Sequence, residues 1–363
     1  NTPRRFAMAG DIYSYSNYGM SLVGHVVERV SGSEYGHYID TNIFRPLGMG
    51  SSSVGLAADL RPAAAVGYRF FPEDGLRRTR ESFINLAPAG SIYSTAADMA
   101  SYMIAILQDG RFDSQVLFSP KGAQLMRQRH HSGAPTQWGV GLGFTETERQ
   151  GISWYGHDGG REGYFSFLFV SPDEGIGFFV VTNTDPLLGS PVFGLEDAFL
   201  SDFSDHLRPF EAEPQLGRNR DNEETVHLLS GAYKMLRTST TSFTRISSLL
   251  LRMTLESTED GALHGTLPGS PDLLVFHVSE DGLYWSEDGK NSLSFRLGPG
   301  GVPTHMYWNH VALERVPWYE AMALHIGILG ASVLGLLSAL AWPARWGWRQ
   351  VRGRRPATDL ARV

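Results

Sequence analysis

Two short polar segments hold the residues whose types and spacing could do chemistry. They are Tyr15-Ser16-Asn17 near the start of the chain and Gly156-His157-Asp158-Gly159-Gly160 further along. A tyrosine hydroxyl has a pKa of about 10, so it serves as a base only where nearby positive charge lowers that value or relays the proton. Glycines let backbone come close to a ligand. Each segment alone also has a plain interpretation, with Tyr15 a surface aromatic, Asn17 a helix N-cap and His157 a structural loop residue.

The second segment comes before a predicted hairpin. Apolar runs over residues 163–170 and 176–183 flank Ser171-Pro172-Asp173-Glu174-Gly175. Pro172 presets a turn φ, and Gly175 can supply a positive φ. Nearly every residue of both runs is hydrophobic, which predicts two strands buried on both faces at the centre of a sheet. The glycine-rich segment is then expected to form a turn at one end of this sheet.

Helical patterns surround the predicted hairpin. Apolar residues recur at helical spacing after Asn17, and further helices are predicted at 35–44, 96–107, 120–128 and 192–207. Ser94 or Thr95 suits the N-cap of the third helix, and Pro120 suits the first position of the fourth. The predicted fold class is α+β, with an antiparallel sheet and flanking helices, over residues 1–207.

The composition changes after residue 208. Residues 208–226 are rich in Pro, Asn, Asp and Glu, which predicts a linker. Residues 227–316 carry short apolar runs between repeated Asp-Gly turns, which predicts a small all-β barrel or sandwich. No catalytic group of residues stands out in it.

The two polar segments and their flanks resemble the serine β-lactamase-related hydrolases, the branch that includes class C β-lactamases, DD-peptidases and β-lactamase-like esterases. Tyr15-Ser16-Asn17 is similar to the Tyr-X-Asn motif of that family, and His157-Asp158-Gly159 is similar to its His-X-Gly variant of Lys-Thr-Gly. Residues 43–49 and 88–98 agree with the family pattern, and the resemblance covers residues 11–183. It implies a β-lactamase/transpeptidase-like fold.

The resemblance also implies roles for the residues. Tyr15 would act as base in acylation and as proton donor to the leaving group, and Asn17 would orient the substrate. His157 would help position Tyr15 or a substrate carboxylate, and the N–H of Gly160 would be an oxyanion donor. Asp158 and Gly159 would contact the substrate, which would be a β-lactam, a D-Ala peptide or an ester.

The family's first motif, Ser-X-X-Lys, does not occur in this sequence. The lysines are Lys121, Lys234 and Lys290, and the residues three positions before them are phenylalanine, glycine and glutamate. Two interpretations follow. The chain is an N-terminally truncated hydrolase without its nucleophile, or it is a non-catalytic binding or sensor protein on the same fold. The coding sequence upstream of Asn1 would separate them.

Composition limits the partners. The net charge of −7 argues against nucleic acid, and the absence of cysteine removes disulfides and thiolate metal sites. His130, His131, His305 and His310 lack grouped carboxylates or cysteines, so no metal site and no cofactor are predicted. The expected partner is a small-molecule or peptide substrate.

The last part of the chain predicts a membrane anchor. Residues 321–342 carry no Asp, Glu, Lys or Arg, aromatic residues flank them so that the predicted helix covers 318–342, and residues 343–363 are rich in arginine. This pattern predicts a transmembrane helix with a cytoplasmic tail and with the catalytic domain on the extracytoplasmic side. Small residues at every fourth position of the stretch would permit self-association through the helix.

Overall fold

The computed structural model describes residues 7–80, 84–187, 190–209, 223–236, 252–267 and 273–352. The chain divides into two compact units, Asn1–Arg315 and Val316–Val363. The predicted linker at 208–226 lies mostly outside the described residues.

Short helices of the first unit begin and end where capping residues place them. Ser16 accepts a hydrogen bond from the backbone N–H of Gly19 at 3.0 Å, and Gly32 ends the same helix with φ of 68°. Thr95 caps the helix that contains Asp98 in the same way. The helices of this unit are α1 Asn17–Ser31, α2 Tyr35–Ile39 with a π-helical turn at Asp40–Phe44, α3 Ala87–Gly90, α4 Ala96–Leu107, α5 Pro120–Arg127, α6 Leu195–Leu207 and α7 Glu223–Leu229.

Helix α6 begins three residues later than the sequence pattern predicts. Gly194 precedes it with φ of 75°, in the left-handed region, so the helical conformation cannot extend back through this residue. Glu196 and Asp197 therefore occupy its first turn, where negative charge suits the helix dipole.

A six-stranded antiparallel sheet forms the centre of this part of the unit, in the order β12-β11-β10-β9-β8-β7. The predicted β-lactamase-like arrangement of a sheet with flanking helices is present. The strands up to the barrel are β1 Ser53–Val54, β2 Tyr68–Phe71, β3 Gly75–Arg78, β4 Ile92–Tyr93, β5 Arg111–Phe112, β6 Gln115–Val116, β7 His131–Ser132, β8 Gly139–Val140, β9 Thr145–Arg149, β10 Ile152–Arg161, β11 Tyr164–Ser171 and β12 Ile176–Thr182.

Both faces of the sheet are covered, as its uninterrupted apolar runs require. One face packs on α6 through Trp154, Phe167 and Phe178, and the indole N–H of Trp154 donates to the Ser204 hydroxyl at 3.0 Å. The other face packs on α4 through Leu168 and Val170. The strands therefore hold the backbone of β10 between two layers of buried side chains.

The glycine-rich segment lies in strand β10 and not in the turn that the sequence predicts. Strand β10 extends to Arg161 because β11 pairs with it along its whole second half, from Tyr155↔Val170 to Arg161↔Tyr164. The connecting turn is correspondingly short and contains Gly163 with φ of 81°. His157 and the glycines after it are thus fixed by sheet hydrogen bonds.

Residues 231–315 form a closed antiparallel barrel of eight strands within the described part of the chain. Its core contains Tyr233, Met253, Phe276 and Met306, each fully buried. The strands are β13 Gly231–Met235, β14 Arg252–Ser257, β15 Leu263–Thr266, β16 Leu273–Val278, β17 Tyr284–Ser286, β18 Ser292–Leu297, β19 Pro303–Trp308 and β20 Val311–Arg315.

The second unit contains the helix α8, Met322–Arg352. Within the residues that the structure describes, no helix is both long enough and apolar enough to cross a membrane. Helix α8 begins only at Met322, after a separate helical turn at Trp318–Glu320, and it continues to Arg352, beyond the predicted span. The transmembrane helix predicted at 318–342, and the membrane-anchored, extracytoplasmic localisation derived from it, are therefore wrong for the described chain.

Candidate active site

Tyr15 lies in the segment that leads into α1, immediately before the N-cap Ser16. Its ring centroid is 5.7 Å from that of His157, with an angle of 34° between the ring planes. The fold therefore brings together two residues that are far apart in the sequence, one before a helix and one inside the sheet. This contact joins the two polar segments that the sequence singles out.

The His157 ring has a defined tautomer. Its Nδ1 lies 2.5 Å from the backbone oxygen of Asp158, and a carbonyl oxygen can only accept a hydrogen bond. Nδ1 must therefore carry the proton. In the neutral ring Nε2 is then the hydrogen-bond acceptor.

The outer edge of β10 is open beside this histidine. Strand β9 pairs with β10 only as far as Gly156↔Thr145, whereas β11 continues to Arg161. Asp158, Gly159 and Gly160 are exposed there. An open strand edge presents backbone N–H and C=O groups to which an extended ligand can add. Gly160 lies on this open part of the edge.

Gly156 explains why the preceding part of the strand can pack so closely. A Cβ atom at this position would lie 2.3 Å from the backbone oxygen of Leu168 and from a ring carbon of Phe169. Both atoms belong to the neighbouring strand β11, so only glycine fits without moving the sheet.

A cavity of about 290 Å³ opens next to His157. His157, Asp158 and Gly159 form one wall. The remaining wall is mostly apolar and comes from α4, from the end of α5 and from the sheet, through Met99, Tyr102, Met126, Leu142, Gly143, Phe144, Ser166, Phe167, Leu168 and Phe179. An apolar cavity that ends at a few polar groups is typical of small-molecule sites.

Acidic groups accumulate on one side of the site. Burial and, after it, the negative charges of Asp158 and Asp197 together raise the pKa of Glu196 to about 7, while Arg149 acts in the opposite direction. Burial also raises the pKa of Asp197, but the hydrogen bonds and charges of Arg149 and Lys290 outweigh it, so the net shift is downward. With a pKa of about 7, the Glu196 carboxyl can exchange a proton near neutral pH.

The barrel also reaches this site through His310, on the turn between β19 and β20. Burial lowers the pKa of His310, the Asp158 carboxylate raises it, and the His157 ring lowers it. Such electrostatic coupling requires that His310 be near both residues of β10. The sequence pattern gave no reason to select His310 over the other histidines.

The structure places Asn17, the remaining residue predicted from the sequence, at the surface. Asn17 is exposed at the first position of α1, and its backbone oxygen accepts a hydrogen bond from Ser21 at 2.8 Å. Ser16, not Asn17, is the N-cap. Tyr13, whose ring centroid lies 6.4 Å from those of His131 and His310, was not predicted as a site residue, and neither were His131 and Glu196. Tyr13 could have been suspected, because it stands two residues before Tyr15 in a non-helical segment.

Metal-ligating residues do not gather in the described ranges, where no group of three or more histidine or acidic side chains is arranged to hold a metal ion.

Comparisons with known proteins bear on the family. The sequence profile of the Beta-lactamase family matches residues 1–199. Penicillin-binding protein 4 of Amycolatopsis lactamdurans is 30% identical over 187 residues, which is 47% of this chain and 47% of that protein. Beta-lactamase-like protein 2 of Dictyostelium discoideum is 32% identical over 96 residues, which is 26% of this chain and 17% of that protein. The matched part spans less than half the length of each of these two relatives.

Among solved structures, the fold is similar to that of SurE. The TM-score is 0.52 at 21% sequence identity, and the match covers 84% of this chain and 69% of that chain. At this identity the likeness concerns the fold alone. The family profile covers more than half of the chain and includes both polar segments, and the observed sheet and helices agree with it. The chain therefore belongs to the Beta-lactamase family.

Proposed function

We propose that residues 7–209 form the Tyr-X-Asn and His-X-Gly side of an acyl-transfer site for an amide or ester, as in a β-lactamase or penicillin-binding type of serine hydrolase. The observation that carries the proposal is the 5.7 Å contact between the rings of Tyr15 and His157, at the open edge of β10. A substrate carbonyl at this edge would face a proton-transferring pair and the backbone N–H of Gly160.

The nucleophile is the part of the mechanism that these residues do not supply. Formation of an acyl-enzyme requires an activated serine, and this family uses the serine of Ser-X-X-Lys, which the 363 residues do not contain. A nucleophile for this reaction would have to come from residues other than these. Loss of a nucleophile removes the covalent route and does not merely slow it.

The test separates binding at the edge from covalent reaction. Benzylpenicillin added to the full chain is expected to shift the backbone amide NMR signals of Gly159 and Gly160 reversibly. Tyr15→Phe should weaken this response, and Tyr18→Phe, an exposed tyrosine on α1, is the matched control. No response of these two glycines to benzylpenicillin, a phenyl ester or a D-amino-acid amide would remove the proposed site.

A fluorescent penicillin tests the missing nucleophile directly. We expect no covalent label on this chain after denaturing electrophoresis and no hydrolysis of a chromogenic β-lactam above the buffer rate. A stable adduct that maps to any residue of the chain would overturn this part of the proposal.

A second candidate function is a non-catalytic binding or sensor protein on the same fold. The observation that favours it is the same absence of Ser-X-X-Lys from this sequence. Tight reversible binding of benzylpenicillin or of a D-Ala peptide, with no turnover, would support this candidate. Weak binding of every ligand tried would instead favour the first proposal, in which these residues form one side of a hydrolase site.

A further inference from the structure

The segment that carries Tyr15 has no helix or strand of its own, so its position depends on contacts with other parts of the unit. Residues 7–16 are described as turns and extended backbone before α1 begins. Without other contacts, such a segment would leave Tyr15 free to take several positions relative to the sheet.

An ion pair connects this segment to the barrel. The Arg296 guanidinium of β18 donates to the Asp11 carboxylate at 2.8 Å, and the Asp11 interaction raises the pKa of Arg296. The His131 ring, at the start of β7, donates from Nε2 to the backbone oxygen of Asp11 at 3.3 Å. Asp11 is therefore bound through both its side chain and its backbone.

A group of four rings holds the next part of the segment. The Tyr13 ring centroid is 6.4 Å from that of His131 and 6.4 Å from that of His310. His131 in turn lies 6.1 Å from Tyr307, which is 4% exposed in the barrel wall. Rings of the sheet domain and of the barrel thus enclose Tyr13 from two directions, at distances typical of attractive aromatic contacts.

The barrel is itself fixed against the sheet domain. Gln137, just before β8, is fully buried and donates to the backbone oxygens of Ser292 and Tyr307, each at 3.1 Å, while it accepts from the Ser294 hydroxyl at 2.6 Å. The indole rings of Trp138 and Trp285 meet edge to face at 5.2 Å. The barrel residues that contact Asp11 and Tyr13 are therefore held in a fixed position relative to the sheet domain.

We propose that the barrel is a positioning domain: Arg296 and His310 hold residues 11–13 and so orient Tyr15 toward His157. Tyr15 follows Tyr13 by two residues, and an extended chain advances about 3.3 Å per residue, so an anchor at Tyr13 restricts Tyr15 to a small region. Arg296 and His310 act through this segment. The importance of this orientation for catalysis rests on the proposed role of Tyr15. The orientation itself does not depend on that role.

The test measures the ring contact in the full chain without any ligand. The histidines are labelled at the ring carbon Cε1 and observed by NMR. The Tyr15 ring should displace the chemical shift of His157, and the difference between the unmodified chain and Tyr15→Leu gives the size of this displacement. The combined variant Arg296→Gln and His310→Leu is expected to lose most of this displacement. Arg296→Lys, which keeps the charge, should retain more of it than Arg296→Gln.

A matched control uses another ion pair between the barrel and the sheet domain. Lys290 of the barrel pairs with Asp197 of α6 at 3.4 Å and not with Asp11, so Lys290→Gln should leave the His157 displacement unchanged. An equal loss in Lys290→Gln and Arg296→Gln would overturn the proposal, because the effect would then come from general loosening of the barrel.

Asp11→Asn removes the same ion pair from the segment side and leaves the barrel untouched, in case the barrel variants fold poorly. It should reduce the displacement as much as Arg296→Gln does, and the two changes together should add little. A full displacement in Asp11→Asn and in the combined barrel variant would overturn the proposal. Failure to bind benzylpenicillin would leave these results unaffected and would concern only the proposed function.

Discussion

At the scale of single residues, the candidate site depends on how neighbours change ordinary side chains. His157 has its tautomer set by the backbone oxygen of Asp158. Glu196 is an ordinary carboxyl in sequence, yet burial on the first turn of α6 raises its pKa to about 7. Neither property is visible from residue type, because both depend on what the fold packs beside the group.

The raised pKa of Glu196 predicts that part of the stability is lost as pH rises. The folded state holds the Glu196 proton up to about pH 7, while the unfolded chain releases it near the usual value of 4.5. Between these values the folded state binds more protons, so the free energy of unfolding falls with rising pH. Glu196→Gln should remove this fall, on the order of 1–3 kcal/mol between pH 5 and pH 8, measured by urea denaturation.

Glu148→Gln serves as the control for this measurement, because Glu148 is an exposed carboxyl on β9. Asp158→Asn should reduce the fall partly, since the Asp158 charge contributes to the Glu196 shift. A pH profile of Glu196→Gln that parallels the unmodified chain would contradict the assignment.

At the scale of elements, strand β10 combines a closed half with an open half. Its first half is paired on both sides and its second half only with β11, so the candidate site residues lie where the sheet stops covering the backbone.

The apolar pattern of helix α1 does not correspond to a buried face in the structure. Its apolar residues Leu22, Val23, Val26 and Val30 are each more than half exposed, and it packs through Gly24 against Pro88.

Substitution of Gly156 tests the close approach of β10 and β11. Gly156→Ala would put a Cβ atom 2.3 Å from the Leu168 backbone oxygen, so the strands must separate locally. We expect a loss of about 1–3 kcal/mol in the free energy of unfolding, as for other overpacked sites. Thermal or urea denaturation gives the value.

Gly122→Ala on α5 is the matched control, because its Cβ would meet neighbours only at 3.6 Å or beyond. Alanine is the better helix former, so this variant should be as stable as the unmodified chain or more stable by up to about 1 kcal/mol. Equal effects of the two substitutions would contradict the crowding argument.

At the scale of the whole described unit, the barrel and the sheet domain are joined by a buried polar contact. Gln137 uses its amide on three residues of the barrel, and Gly133 permits the approach because a Cβ there would lie 2.4 Å from Tyr307. A buried polar group of this kind favours one docking arrangement over others, because any shift breaks its hydrogen bonds.

Gln137→Ala should therefore loosen the docking of the barrel. Loss of the amide leaves the buried Ser294 hydroxyl and two backbone oxygens without it, which we expect to cost about 1–3 kcal/mol. Hydrogen exchange should rise in β7, β8, β18 and β19 and stay unchanged in β11. Gln128→Ala, an exposed glutamine, should change neither region, and faster exchange throughout the sheet would contradict local loosening.

Much of the local structure could be predicted from the sequence. The hairpin of β11 and β12, the N-cap of α4, Pro120 at the start of α5 and the all-β character of residues 231–315 follow from turn residues, capping residues and apolar runs, which act over a few neighbours. The membrane span at 318–342 was the main error, because the apolar stretch is only part of a helix that begins at Met322 and continues to Arg352.

The sequence by itself determined the family and the identity of its chemical groups, because Tyr15-Ser16-Asn17 and His157-Asp158-Gly159-Gly160 keep their order and their flanks. Only the tertiary structure decided that Tyr15 and His157 meet, that the glycines lie on a strand edge, and that His310 and Arg296 of the barrel reach the same region. The physical reason is that capping and turn preferences act between residues close in sequence. Ring contacts and ion pairs between distant residues depend on how the sheet and the barrel pack.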